Sequence, residues 1–143
     1  VADPSRTTYV GTARFLTAAG ARAVLDAALA EADRIGVPEC VAVVDAGGHL
    51  LAFGRSDGAR TASISIALTK ATSAATRKRA TADEGGGDLL ATIRSALAAD
   101  RVTGIGGGIP LVVDDQVVGA IGVSSGSIDE DTIVARAGLA ALV

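Results

Sequence analysis

Apolar and polar positions change their period several times along the chain, and each change marks an element. From Thr17 to Ile35 the period is helical: Leu25, Leu29, Ala32 and Ile35 share a stripe, while Arg22, Asp26, Asp33 and Arg34 lie largely off it. Gly36 and Pro38 end that helix, Gly by taking the left-handed cap and Pro because it cannot continue. The Val-rich run Cys40–Val44, the connection Asp45-Ala46-Gly47-Gly48 and the run His49–Phe53 spell a β-hairpin, with an exit loop over Gly54–Gly58. Ala59 to about Ala80 is rich in small residues, with Ile64, Ala67, Ala71 and Ala74 on one face. It predicts a helix lying very close to a sheet, and its basic end (Arg77, Lys78, Arg79) suits a helix C-terminus. Thr81–Gly87 reads as a loop and Asp88–Ala99 as a shorter helix through Leu89, Ile93 and Leu97. Thr103–Pro110 carries Gly104, Gly106, Gly107 and Gly108, and Leu111–Val113 with Val117–Val123 flank Asp114-Asp115-Gln116 as a second hairpin. Ser127 with Glu130 forms a capping box for a last helix that runs to about Leu142 through Ile133, Ala137 and Ala140.

The order α-β-β-α-α-β-β-α, with strands joined in hairpins, predicts an α+β fold whose sheet is largely antiparallel. Residues 1–15 have no clear period and read as an N-terminal arm. Residues 16–143 read as a single domain without a repeat or linker.

Composition narrows the function classes. Lys and Arg total 13 against 16 Asp and Glu, and aromatics are 2% of the chain, which argues against a nucleic-acid platform. A single cysteine excludes an intrachain disulfide or a Cys-based metal cage. No apolar run approaches the roughly 20 residues that span a bilayer, so no membrane partner is expected. The first residue is Val1, which leaves an upstream segment open; the cytoplasm is the expected compartment, with secretion as the alternative. Apolar residues make up 49% of the chain, and Val117–Val123 and Ala135–Val143 are apolar enough to predict a homo-oligomer, at least a dimer.

Five strings in order carry a resemblance: VAVVDAGGHLLAF, GRSDGAR, ALTKATSAAT, GGGIPLVVDDQVVGAIGVSS and SIDEDTIVARAGLAAL. Together they resemble the domain of haem-binding protein S, of the glycolate-operon G-type proteins and of the C-terminal part of certain cobalamin adenosyltransferases. The resemblance implies a profilin-like three-layer fold with a five-stranded antiparallel sheet. Since the hairpins supply four strands, the fifth is expected from the Val102 region or the arm. It also implies oligomers, and haem as a cofactor if there is one. Ser56 stands where that pattern usually has Met, and Arg77–Asp88 departs from it too, which puts the ligand in question.

His49, the sole imidazole, is either a haem-iron ligand or proton shuttle, or a solvent-facing turn residue. Tyr9, Cys40 and Lys70 are lesser axial candidates. Arg55 and Asp57 leave the hairpin two residues apart and can point the same way. Lys70 sits among Ala67, Leu68, Ala71 and Ala74 and needs a partner, for which Asp57 is nearest in sequence. Gly106, Gly107 and Gly108 either turn N–H groups onto a ligand or form a crowded connection. Asp129, Glu130 and Asp131 are explained by the helix dipole rather than a metal. Cys40 reads as a small core side chain. The basic end at Arg77–Arg79 reads as a solvated terminus, with an anionic partner as the alternative.

The expected function is binding of a small molecule, in a pocket between the first hairpin, the Ala59–Thr76 helix and the glycine loop. Arg55, Asp57, Lys70 and Gly106–Gly108 would bind the ligand and His49 would take haem iron. The alternative is a cofactor-independent isomerase, dehydratase or cyclase in which His49, Asp57 or Lys70 moves a proton.

Overall fold

A computed structural model describes Asp3, residues 8–85, Ala91 and residues 101–142. The elements are α1 (Ala18–Ile35), β1 (Cys40–Asp45), β2 (Leu50–Arg55), α2 (Ser63–Arg77), a 3₁₀ turn (Thr81–Asp83), β3 (Gly108–Val113), β4 (Gln116–Ser124) and α3 (Ile128–Ala140). The helix expected over Asp88–Ala99 lies outside the described residues, save Ala91.

Local chemistry sets the element ends. The Thr17 hydroxyl accepts the Gly20 N–H at 3.0 Å and opens α1. Gly36, at φ +70°, closes it in the left-handed conformation that Gly adopts most readily. Asp114 and Asp115 both hold positive φ (48° and 61°), the two-residue hairpin turn whose twist matches the strands it joins. The Ser127 hydroxyl accepts the Glu130 N–H while the Glu130 carboxylate accepts the Ser127 N–H, completing the capping box of α3.

The strands form one sheet in the order β2-β1-β4-β3, with every neighbouring pair antiparallel. Among the described residues it has four strands, not the expected five. Val102 is buried without joining the sheet, and residues 8–15 stay exposed outside it.

Alternate residues of β1 serve two separate cores. Val41 and Val43 join Ala21, Val24 and Ala28 of α1, Val134 and Ala135 of α3, and Leu111, Ile121 and Val123. Cys40, Ala42 and Val44 join Ala120 and the alanines of α2: Ala67, Ala71, Ala74 and Ala75. Being buried on both sides explains why β1 reads as a continuous apolar run. An alanine buries less than the roughly 1.5–3 kcal/mol worth of surface that a Val or Leu does. The second core therefore relies on close backbone approach. Gly122 permits it, because a Cβ there would run into the Ala67 carbonyl oxygen.

Two helix readings need correction. α2 is shorter than Ala59–Ala80, and Lys78 closes it in a left-handed conformation (φ 56°). α3 buries Asp131, Val134, Ala135 and Gly138, leaving Ile133 47% exposed. Gly138 has no Cβ and lets Val24 and Ile121 press against the helix, which turns that face inward.

Candidate functional site

The turn after β1 orients His49. Asp45 Oδ1 accepts the N–H groups of Gly47 and His49, each at 2.9 Å, and lies 3.3 Å from His49 Nδ1. Burial alone would raise the Asp45 carboxyl, but those two N–H groups and the facing imidazole outweigh it and hold it below its ordinary value. The imidazole side chain is 81% exposed. An imidazole whose Nδ1 faces a carboxylate presents Nε2 as the ligating or proton-carrying atom, an arrangement shared by many metal-binding histidines.

An apolar strip adjoins this histidine. The ladder between β1 and β2 is irregular at Val43/Val44, where Val44 pairs with Leu50 and Val43 with Ala52, so Leu51 is the extra residue. Leu50 and Leu51 are both exposed, and Phe53 packs at the edge of the α2 core. α2 is centred over β4, β1 and β3, leaving β2 at its margin. The Thr72 hydroxyl bonds the Gly48 carbonyl at 3.1 Å and ties the turn to α2.

Arg55 and Asp57 come together elsewhere, in a cleft of about 490 Å³ where the C-terminal end of α1 meets the exit from β2. Leu29, Ala32, Val37 and Pro38 supply its apolar wall, and Asp33, Ser56, Arg55 and Asp57 its polar one. Neither the Arg55 nor the Asp57 side chain makes a hydrogen bond or ion pair to another described residue. The volume falls within the ordinary range for small-molecule sites.

Lys70 does not join them, and it does not pair with Asp57. Its ammonium donates to Asp131 Oδ2 at 2.8 Å and to the Val123 carbonyl at 2.7 Å, with both side chains buried. Reach is the reason: α2 lies over β4, so Lys70 extends along the end of β4 to the first turn of α3. The sequence reads Asp131 only as a helix-dipole acid and does not single out its neighbour Glu39, yet both are buried. A lysine amid alanines signals that a carboxylate must meet it, but three consecutive acids at a helix start are equally explained by the dipole. Among the described residues no cluster of His, Cys, Asp and Glu could hold a metal ion.

The glycine loop is crowded. A Cβ on Gly107 would lie 3.0 Å from Lys70 Nζ, and one on Gly108 would lie 2.5 Å from the Lys70 carbonyl oxygen. The Gly108 N–H is taken by the Thr81 hydroxyl at 3.0 Å. The basic end of α2 folds onto its own acid: Glu84 Oε1 meets Arg77 at 3.3 Å and Arg79 at 3.6 Å.

The model of the haem-degrading HbpS-like family matches residues 16–140. The chain belongs to the HbpS-like family. Protein GlcG of Escherichia coli K12 is 38% identical over 105 residues, covering 73% of this chain and 77% of GlcG. Two solved structures share the fold. Protein ORFY of Klebsiella pneumoniae has a TM-score of 0.84 at 32% identity, covering 96% of this chain and 97% of its own. A complex of PduOC with haem has a TM-score of 0.80 at 30% identity, covering 90% of this chain and 95% of its own. No described helix is long and apolar enough to cross a membrane.

Proposed function

We propose that this HbpS-like domain binds a small planar ligand of the haem type, with His49 as the axial donor. The observation that carries the reading is the Asp45–His49 contact, which sets a carboxylate 3.3 Å from Nδ1 of an exposed imidazole and leaves Nε2 as its ligating nitrogen. Leu50, Leu51 and Phe53 would take the apolar face of the ring, and the tie between Thr72 and Gly48 would hold the turn in place. The donor chemistry and one apolar wall fit such a ligand. Bound haem would supply a redox-active iron, while the chain's own part is to ligate, orient and desolvate. Titration with haemin tests this: a Soret shift at one equivalent is expected, and it should change in His49→Ala. A complex with the same spectrum in His49→Ala would remove His49 from the axial role.

The expected homo-oligomer belongs to the same reading. Tyr9, Phe15, Leu50, Ile66, Ile128 and Ile133 are large apolar side chains left exposed on one subunit, and a second copy would cover some of them and close the open side of His49. Light scattering should give at least twice the 14.0 kDa chain mass. The separation of the cores by the sheet supports a profilin-like arrangement.

The cofactor-independent enzyme remains as a second reading because Arg55 and Asp57 line one cleft without a side-chain partner among the described residues. There Arg55 would hold a carboxylate or enolate oxygen and Asp57 would move a proton. His49 and Lys70 do not line that cleft. Small carboxylic acids should then raise the Tm of the wild type but not of Arg55→Ala; equal shifts in both would end this reading.

A further inference from the structure

The charges gathered around Lys70 do not balance. One ammonium stands against two buried carboxyls, Asp131 in contact with it and Glu39 beyond, and all three residues are 2% exposed or less. Asp131 accepts Lys70 through Oδ2 and the Gly126 N–H through Oδ1, at 2.8 and 3.0 Å. Glu39 Oε2 accepts the same Gly126 N–H at 2.9 Å. Glu39 Oε1 has no partner, the one buried side-chain polar atom so left among the described residues. A second full negative charge here would be sealed from water with half its carboxylate unsatisfied.

We propose that Glu39 and Asp131 share one buried proton, leaving a single negative charge for Lys70 to balance, and that losing this proton at raised pH loosens the turn between β4 and α3. A protonated Glu39 is a donor as well as an acceptor, and Asp131 is the acceptor beside it. Burial is the main cause that pushes the Glu39 carboxyl up to about 8; the Asp131 charge and a hydrogen bond to Asp131 add to it, against the Gly126 N–H and the more distant Lys70.

The charged groups near Glu39 are Asp131 on α3, with Glu130 across Gly126 and tied into the capping box, and Lys70 on α2. From the β2–α2 segment come Arg55, opposite Cys40 in the ladder, and Arg60. Among the described residues, Lys70 is the one lysine or arginine whose side chain bonds either carboxyl, through Asp131. The turn itself is under tension: Ser125 holds φ at 118°, a conformation that a residue with a side chain rarely adopts. It is kept there by Arg60, whose N–H donates to the Ser125 hydroxyl at 3.0 Å and whose guanidinium donates to the Ser125 carbonyl at 2.9 Å. The Ser56 N–H bonds the Glu39 carbonyl at 2.8 Å. Through this bond the carboxyl pair adjoins Ser56, which lines the Arg55–Asp57 cleft.

The folded chain holds a proton on Glu39 between the ordinary glutamate value of 4.5 and about 8, where the unfolded chain does not. Its stabilising contribution is complete below that window and is lost as pH rises through it. The test is carbon-13 NMR of the side-chain carboxyls in the full wild-type chain from pH 3 to 10, with Gly126 amide exchange measured in parallel. One glutamate should titrate with a midpoint near 8. In Glu39→Gln that resonance should vanish, and the Tm should no longer fall between pH 5 and 8. Gly126 exchange, corrected for its intrinsic pH dependence, should speed up above the midpoint in the wild type alone. If every side-chain carboxyl, glutamate and aspartate alike, titrates in the ordinary range, the shared proton does not exist. Because that spectrum uses the wild-type chain, the result holds even if Glu39→Gln fails to fold.

Discussion

Lys70 Nζ lies 2.8 Å from Asp131 Oδ2, although the two residues are 61 positions apart. The pair joins the middle of α2 to the first turn of α3 around the end of β4, so it ties together two helices that belong to different cores.

Breaking that pair from one side should be costly. Lys70→Met or Asp131→Asn leaves an uncompensated buried group, and stability measured by guanidinium unfolding should fall by about 3–5 kcal/mol. Asp57→Asn changes an exposed side chain and should stay within about 0.5 kcal/mol. Equal losses at positions 57 and 131 would restore the pairing that proximity in sequence suggests.

The closeness of α2 to the sheet predicts that Gly122→Ala destabilises by about 1–3 kcal/mol or more, because its Cβ meets the Ala67 carbonyl with no flexible side chain to yield. Gly11→Ala, where a Cβ meets nothing, is the matched control and should be neutral. Unfolding curves for the two variants decide it.

Ser127→Ala should remove the hydroxyl half of the capping box, leaving the backbone N–H on the Glu130 carboxylate, and cost about 0.5–2 kcal/mol. The Ser127 N–H and hydroxyl hold the Glu130 carboxyl below its ordinary value. The corresponding stability is therefore present above the unfolded-state value and lost as pH falls through the folded one. The stability difference between wild type and Ser127→Ala should accordingly shrink in acid.

Cys40 should resist alkylation in the native protein. Burial pushes its thiol up, which lowers the thiolate fraction at neutral pH, and the side chain is sealed between β1 and α2. Iodoacetamide should label it at the rate of unfolding; rapid native labelling would contradict this packing.

Much of the fold was legible in the sequence because its signals are local. Thr17 and Gly36 bound α1, Ser127 and Glu130 open α3, and the Asp-Gly and Asp-Asp turns place both hairpins. What was missed depends on contacts distant in sequence. The stripe through Ile133 looked like the buried face of α3, but the lysine waiting on α2 draws Asp131 inward instead. Glu39 follows Pro38 at the entry to β1 and looks like an ordinary solvated acid; only the meeting of three elements buries it. Arg55 and Asp57 were recognisable as a pair because a two-residue spacing is itself local. The wall that completes their cleft comes from α1, which no spacing reveals.

A haem-type ligand held through His49 should be visible when haemin is titrated into wild type and His49→Ala and the Soret band is recorded. Binding should saturate at one equivalent per chain in the wild type, with a shifted band and at least tenfold weaker binding in His49→Ala, about 1.4 kcal/mol for the lost ligand. Identical spectra and affinities, or no saturable binding by the wild type, would contradict it.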